Sequence, residues 1–231
     1  MLKKHSSLVF FATGAIFLFA WGLEMAFAAQ EIPLPQPVEE GRISVEGAIK
    51  ERRTIRRFQN KALTLSQLGQ LLWAGQGVTE KGELHRRAAP SGGALYPLEL
   101  YAIVGEEGVR GLRPGIYRYL PESHSLSEVS LGEARQSLAR AAWGQMWMAD
   151  APAILAVVGQ YKKVTQKYGE RGIRYALIEV GHVGQNVSLQ AEALGLGAGL
   201  VGAFEDEKVA ALLRCPSGED PLYLLPVGYK R

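Results

Sequence analysis

The stretch from Ile173 to Leu194 constrains the fold more than any other part of the chain. Ile173, Ala176, Leu177, Val180, Gly184, Val187, Ala191 and Leu194 recur there at steps of three and four. That period belongs to a long α-helix with one apolar stripe, not to a strand. Many of the stripe residues are small, so a neighbouring element can approach the helix closely. Leu98 to Val104, Ala153 to Val158, Ala198 to Ala203 and Leu222 to Val227 are short apolar runs that read as strands. Gly115 to Tyr119 and Leu126 to Val129 bracket a turn, which is a hairpin signal. Thr64 and Gln67 form a capping box ahead of Leu65, Leu68, Leu71 and Leu72, and this helix stops near Gly75 to Gly77. Shorter helices are expected over Ser44 to Arg52, Leu131 to Ala142 and Glu205 to Leu213. Helices and strands mix without strict alternation, which predicts an α+β fold with a central sheet.

Hydrophobic residues make up 47% of the 231 positions, enough for the core of a single domain. The net charge of +3 and the lack of a long Lys/Arg stripe exclude a nucleic-acid-binding role. Residues 1–28 read as a secretory signal. Lys3 and Lys4 precede an uncharged apolar run from Leu8 to Trp21, and Ala26-Phe27-Ala28 offers a cleavage site after Ala28. The run is short of the about 20 residues of a full span. An exported, periplasmic protein is therefore expected, with an uncleaved membrane anchor as the alternative. Cys215 is the only cysteine, so the fold must rest on its core rather than on a disulfide. Pro33, Pro35 and Pro37 make residues 29–43 read as an extended tether, and the folded domain is expected over 44–231.

Three segments could carry chemistry. Arg52, Arg53, Arg56 and Arg57 flank Thr54 and Ile55, and four guanidiniums so close repel one another unless an anion lies among them. A solvated basic face is the competing reading of that segment. Pro90-Ser91-Gly92-Gly93-Ala94-Leu95-Tyr96-Pro97 is a loop whose paired glycines allow close backbone approach to a flat ligand. It lacks the Lys of a phosphate loop and the Gly-x-Gly-x-x-Gly spacing of a dinucleotide fold, and a plain tight turn would read the same way. Gly195-Leu196-Gly197-Ala198-Gly199-Leu200-Val201-Gly202 leads from a helix into a strand, either as a crowded C-cap or as backbone laid against a ring system. No His/Cys/Asp/Glu set has metal-ligand spacing, so no metal is expected.

In this order, the three segments resemble those of the nitroreductase-like FMN flavoproteins. Arg86-Arg87 with Pro90 to Glu99, Lys167-Tyr168-Gly169-Glu170-Arg171, Arg174-Tyr175, Glu179, Gly181-His182 and Gln185-Asn186 look most like the SagB/ThcOx-type dehydrogenase branch. The resemblance spans Ser44 to the C-terminus. It implies a central, mostly antiparallel sheet flanked by helices, and an intertwined homodimer with FMN at the subunit interface. It places Arg52, Arg53, Thr54 and Arg56 on the ribityl chain and phosphate, and Ser91, Gly93 and Leu95 along the flavin. Backbone groups of Val201 and Gly202 would lie at its N5 and O4 edge, and Lys230 and Arg231 would supply a cation for the phosphate. Lys167 and Tyr168 match a pair thought to assist proton removal in azoline-oxidising members, although an ordinary surface loop reads alike.

The activity so implied passes electrons from a reduced donor such as NAD(P)H to a small organic acceptor. Oxidation of a peptide heterocycle and flavin binding without turnover are the alternatives. Export sits uneasily with NAD(P)H, because a Sec-type signal implies crossing the membrane unfolded, into a compartment where reduced nicotinamides are scarce. His182, beside the apolar stripe, reads as a core or interface residue. Trp143, Met146, Trp147 and Met148 read as core or dimer contact, with a lid over the flavin as the alternative.

Overall fold

The computed structural model describes residues 31–80, 82 and 85–231. The secretory signal read at residues 1–28 lies outside them. The strands are β1 (Glu31–Pro33), β2 (Val78–Glu80), β3 (Arg86–Arg87), β4 (Leu98–Val104), β5 (Gly115–Leu120), β6 (Ser125–Leu131), β7 (Ala153–Gly159), β8 (Leu196–Ala198) and β9 (Asp220–Tyr229). The helices are α1 (Val45–Glu51), α2 (Leu65–Gln76), α3 (Arg135–Ala141), α4 (Tyr161–Tyr168), α5 (Arg171–Ala193) and α6 (Asp206–Leu213). Seven strands form one antiparallel sheet in the order β1-β6-β5-β4-β7-β9-β8, while β2 and β3 pair separately. The fold is α+β, with helices on both faces of the sheet.

Strand periodicity divides the core into two layers. Leu100, Ala102, Leu155 and Val157 pack with Leu68, Leu71 and Leu72 of α2 and Val183, Val187 and Ala191 of α5. Their neighbours Tyr101, Ile103, Ile154, Ala156 and Val158 turn the other way, toward Leu138 of α3 and Val209 and Leu213 of α6. Because the central strands are buried on both faces, β7 reads as a continuous apolar run rather than an alternating one. The small residues of α5 serve the close approach predicted for them. A Cβ on Gly184 would stand 2.8 Å from the Tyr223 ring of β9, and one on Gly75 of α2 would stand 2.7 Å from Leu100. The stripe is less complete than its period implies, since Ile173 and Leu177 lie exposed in the first turns of α5, where the helix packs against α4.

Several boundaries differ from the sequence reading. The capping box of Thr64 and Gln67 is formed as expected. Helix α3 starts only at Arg135, because β6 runs on to Leu131 and Gly132 turns the chain at φ +110°. Of Ala198 to Ala203, only Ala198 lies in β8, and Val201 makes an isolated bridge to Leu224. Helix α4 carries no apolar stripe to announce it, since Val164 is its only buried residue.

The largest correction concerns the tether read at residues 29–43, of which 31–43 are described. From Glu31 on, the chain is extended through its prolines, but it is no free tether. β1 adds to the sheet edge beside β6, and Leu34 is 5% exposed and donates its N–H to His124 O at 3.1 Å. Val38 and the Gln70 side chain exchange two hydrogen bonds, at 2.8 and 2.9 Å. Edge pairing satisfies backbone groups that a polar sequence alone gives no hint of. Residues ahead of Ser44, from Glu31 on, therefore pack with the domain. Leu34→Ala is expected to lower unfolding stability by about 2–4 kcal/mol in urea titrations, as for other buried leucines; a free tether would lose nothing.

Candidate functional site

The basic segment and the glycine-rich segment meet at the end of the sheet. After α1, the chain runs beside β8, where Thr54 bridges Ala198 and the Ile55 N–H donates to Ala198 O at 2.9 Å. Further on, Phe58 pairs with Lys230, and the Arg231 N–H donates to Arg57 O at 3.3 Å. Gly197 is required by this approach, since a Cβ there would lie 2.5 Å from Ile55 Cγ1 and 2.8 Å from Lys230 Cγ. The Arg53 guanidinium donates to the carbonyls of Lys50 at 2.7 Å and Arg52 at 2.9 Å. Arg56 lies 5.8 Å over the Trp147 ring, which in turn stacks on Phe58. Among the described residues, none of Arg52, Arg53, Arg56 and Arg57 has a carboxylate within ion-pair distance. Four like charges without a counter-charge leave a field that an anion would relieve.

Two residues assigned to this end by resemblance are already engaged. Val201 both donates to and accepts from Leu224 at 2.9 Å, so its N–H is already satisfied within the protein. Gly202 beside it is exposed. Lys230 pairs through its ammonium with Glu192 of α5, which balances its charge. Arg231 is exposed.

The Pro90–Pro97 loop forms a second group of residues, at the start of β4. A 3-10 turn at Gly92–Ala94 carries φ +66° at Gly93, and Ala94 and Tyr96 follow at +54° and +46°. Only glycine adopts this region without cost, so the two side-chain-bearing residues are held there by their surroundings. Gly93 lies directly beneath the Lys167-Tyr168 pair. A Cβ there would overlap the Tyr168 hydroxyl and stand 2.9 Å from Lys167 Nζ. The pair belongs to the end of α4 rather than to a loop, with Lys167 exposed and Tyr168 half-buried edge-on to Tyr175 of α5. Leu95 closes the 3-10 turn and is half-buried.

Beneath the loop lies Glu179, only 2% exposed. Burial pushes its carboxyl up to about 7, against hydrogen bonds from Ser91 and Gln76 and the charges of Arg87 and Lys163. Asn186, two turns further along α5, donates to Ala74 O at 3.0 Å and Ala88 O at 3.3 Å, tying the start of the loop to α2. Gln76 had no mark in the sequence beyond its place at a helix end, and Arg87, Glu179 and Asn186 stood out only through the family resemblance. Among the described residues, no hydrogen bond, ion pair or ring contact joins this group to the arginine group. His182, Trp143 and Met146 are exposed, whereas Met148 is buried in the core. Burial pushes the Cys215 thiol up to about 11, consistent with an inert residue.

A model described as the Nitroreductase family matches residues 49–229. The chain belongs to the nitroreductase family. MJ1384 of Methanocaldococcus jannaschii, whose name places it among the nitroreductases, is 44% identical over 87% of this chain and 96% of its own length. The Microcin B17-processing protein McbC of Escherichia coli is 34% identical over 54% of this chain, which spans about half (47%) of McbC. A chain of the solved E. coli microcin synthetase McbBCD complex with truncated pro-MccB17 bound shares the fold, with a TM-score of 0.67 at 26% identity. It covers 95% of this chain and 85% of its own length. The nitroreductase match includes the arginine segment, the Pro90–Pro97 loop and Lys167-Tyr168, and ends just before Lys230 and Arg231.

The raised carboxyl of Glu179 has a stability consequence. Its folded form holds the proton up to about pH 7, whereas the unfolded form releases it near 4.5. The folded state thus binds more protons in that window, and this group's contribution falls as pH rises through it. The melting temperature of wild type relative to Glu179→Gln should therefore decline between pH 4.5 and 7 and level off above, as read by calorimetry.

Proposed function

We propose that this nitroreductase-family chain is an FMN-dependent oxidoreductase that moves electrons from a reduced donor, of which NAD(P)H is one, to a small organic acceptor. The observation that carries this reading is the arginine group at the sheet end. Arg52, Arg53 and Arg56, with the Thr54 hydroxyl, form a donor set without a carboxylate partner, which suits a phosphate and its polyol chain. Lys230 contributes less than the resemblance implies, because Glu192 already neutralises it.

Bound FMN supplies the redox chemistry by accepting and releasing a hydride equivalent at its ring. The protein's own part is to bind and orient. The arginine group would hold the phosphate end, and the exposed Gly202 would offer backbone to the ring edge. The Pro90–Pro97 loop would lie along the ring face, with Gly93 allowing close approach. Because the two groups stand apart in one protomer, the reading includes a homodimer in which a second copy completes the site. The exposed Val45 and Ile49 of α1 and Ile173, Leu177 and Ile178 of α5 are the apolar surface such a copy would cover. The reading also keeps export to the periplasm, with FMN acquired there.

A second reading, a dehydrogenase that oxidises a heterocycle or peptide substrate, is favoured by the seating of Lys167 and Tyr168 on Gly93. The Tyr168 hydroxyl and the Lys167 amino group at that spot could relay a proton beside the ring face.

Purified protein mixed with FMN decides between these readings. Saturable quenching of flavin fluorescence is expected, with Arg52→Ala and Arg56→Ala each weakening binding by roughly 10- to 100-fold, the worth of a charged hydrogen bond. Chain that takes up no FMN overturns the proposal. Bleaching of bound flavin by NAD(P)H supports the first reading. Flavin that only a heterocyclic substrate reduces, with turnover lost in Lys167→Met and Tyr168→Phe at unchanged FMN affinity, supports the second. Bound flavin that neither donor reduces marks a binding protein.

A further inference from the structure

One aromatic side chain lies where the arginine segment meets the glycine-rich segment, and the function proposed above makes no use of it. Trp147 sits in the 3-10 turn Met146–Asp150, between α3 and β7. Its ring stacks on Phe58, with centroids 6.5 Å apart and planes 24° from parallel. The Arg56 guanidinium lies 5.8 Å over the same ring. The far edge of the indole, Cη2 and Cζ3, reaches Gly199. A Cβ there would stand 2.6 and 2.7 Å from those two atoms and 2.9 Å from Ile55 O. Trp147 is thus a wedge between the two segments, and glycine at 199 leaves room for it.

The wedge is fixed from behind. Met148, the next residue of the turn, is fully buried in the core layer shared with α3 and α6. Gln145 donates from Nε2 to Ala203 O at 3.1 Å, which ties the start of the turn to the residue after Gly202. Trp147 itself is half-buried and packs on the same layer, whereas Arg56 is exposed. An exposed arginine gives up much rotamer freedom when it binds a ligand. A carboxylate partner would order it beforehand but balance its charge, as Glu192 does for Lys230. An aromatic face also orders a guanidinium, yet leaves its charge and its in-plane N–H fork free for an anion.

We propose that Trp147 is a positioning residue whose indole face pre-orders Arg56, by stacking rather than by ion pairing, so that the guanidinium meets a phosphate group with its charge intact. That this phosphate belongs to FMN rests on the function proposed above; the contact between Trp147 and Arg56 does not. An aromatic ring at 147 then suffices where an aliphatic side chain fails. The effect passes only through Arg56, and only ligands that carry a phosphate feel it.

Titrations of the full chain with FMN, riboflavin and inorganic phosphate test this. Flavin fluorescence quenching reads the first two, and the shift in melting temperature reads phosphate. Trp147→Leu should weaken FMN binding by roughly three- to tenfold, the worth of a cation–π contact, and leave riboflavin binding unchanged. Trp147→Phe should restore most of the loss. In an Arg56→Ala background, Trp147→Leu should cost nothing further. Unchanged FMN affinity in Trp147→Leu overturns the proposal. So do equal losses for FMN and riboflavin, a loss that phenylalanine does not restore, or losses that add to those of Arg56→Ala, each of which marks Trp147 as packing alone. Should Trp147→Leu fail to fold, fluorinated tryptophan incorporated in its place keeps the shape and drains the π-face. FMN affinity should then fall with riboflavin unchanged, and an unchanged FMN affinity again overturns the proposal. Wild-type chain that binds phosphate but takes up no FMN refutes the function; the same variants are then read against phosphate, where Trp147→Leu indistinguishable from wild type overturns the role of the indole. Chain that binds neither overturns both.

Discussion

Everything described at the site depends on how closely α5 lies against the sheet. Gly184 sits on the Tyr223 ring with no room for a Cβ, and the buried Val183, Val187 and Ala191 follow along the same contact. That seating makes one rigid helix the beam between both functional groups. Its early turns bring Tyr175 and Glu179 beneath the Pro90–Pro97 loop. Asn186 ties the loop's start to α2, and Glu192 at the far end engages Lys230 beside the arginine segment. A bulkier residue at 184 would displace all of these together, because close-packed interiors transmit strain rather than absorb it.

The parts of this arrangement that were legible in the sequence are those with a strong local signal. The long helical stripe, the capping box at Thr64, the apolar strands and the hairpin before Ser125 all appear close to where periodicity and turn chemistry put them. What was illegible depended on partners distant in the chain. β1 is visible only through β6, to which it adds an edge. Helix α4 is a polar segment whose single buried side chain leaves no period to read. Val201 looked available for a ligand because its partner Leu224 lies 23 residues away. Ile173 and Leu177 fit the stripe by spacing, but the protomer leaves them exposed.

Within the site, the residue types were readable and the geometry was not. The arginines, the paired glycines and Lys167-Tyr168 stand out by composition and by resemblance to the nitroreductases. Their sorting into two groups came only from the fold, which seats Lys167 and Tyr168 on Gly93 and leaves the arginines with β8 and the C-terminus. Glu179 shows the same limit: a lone acidic residue on a helix stripe gives no hint that it will be buried beneath a strained turn and tied to it by side chains from two other elements.

The central claim, that a flavin is held by the arginine group of one copy and covered by the Pro90–Pro97 loop of another, is tested most directly by a crystal structure of the chain grown with FMN. The expected result is a homodimer with phosphate density at Arg52, Arg53 and Arg56 of one protomer and the ring against Ser91 to Leu95 of its partner. FMN bound wholly within one protomer, or away from the arginines, would contradict it.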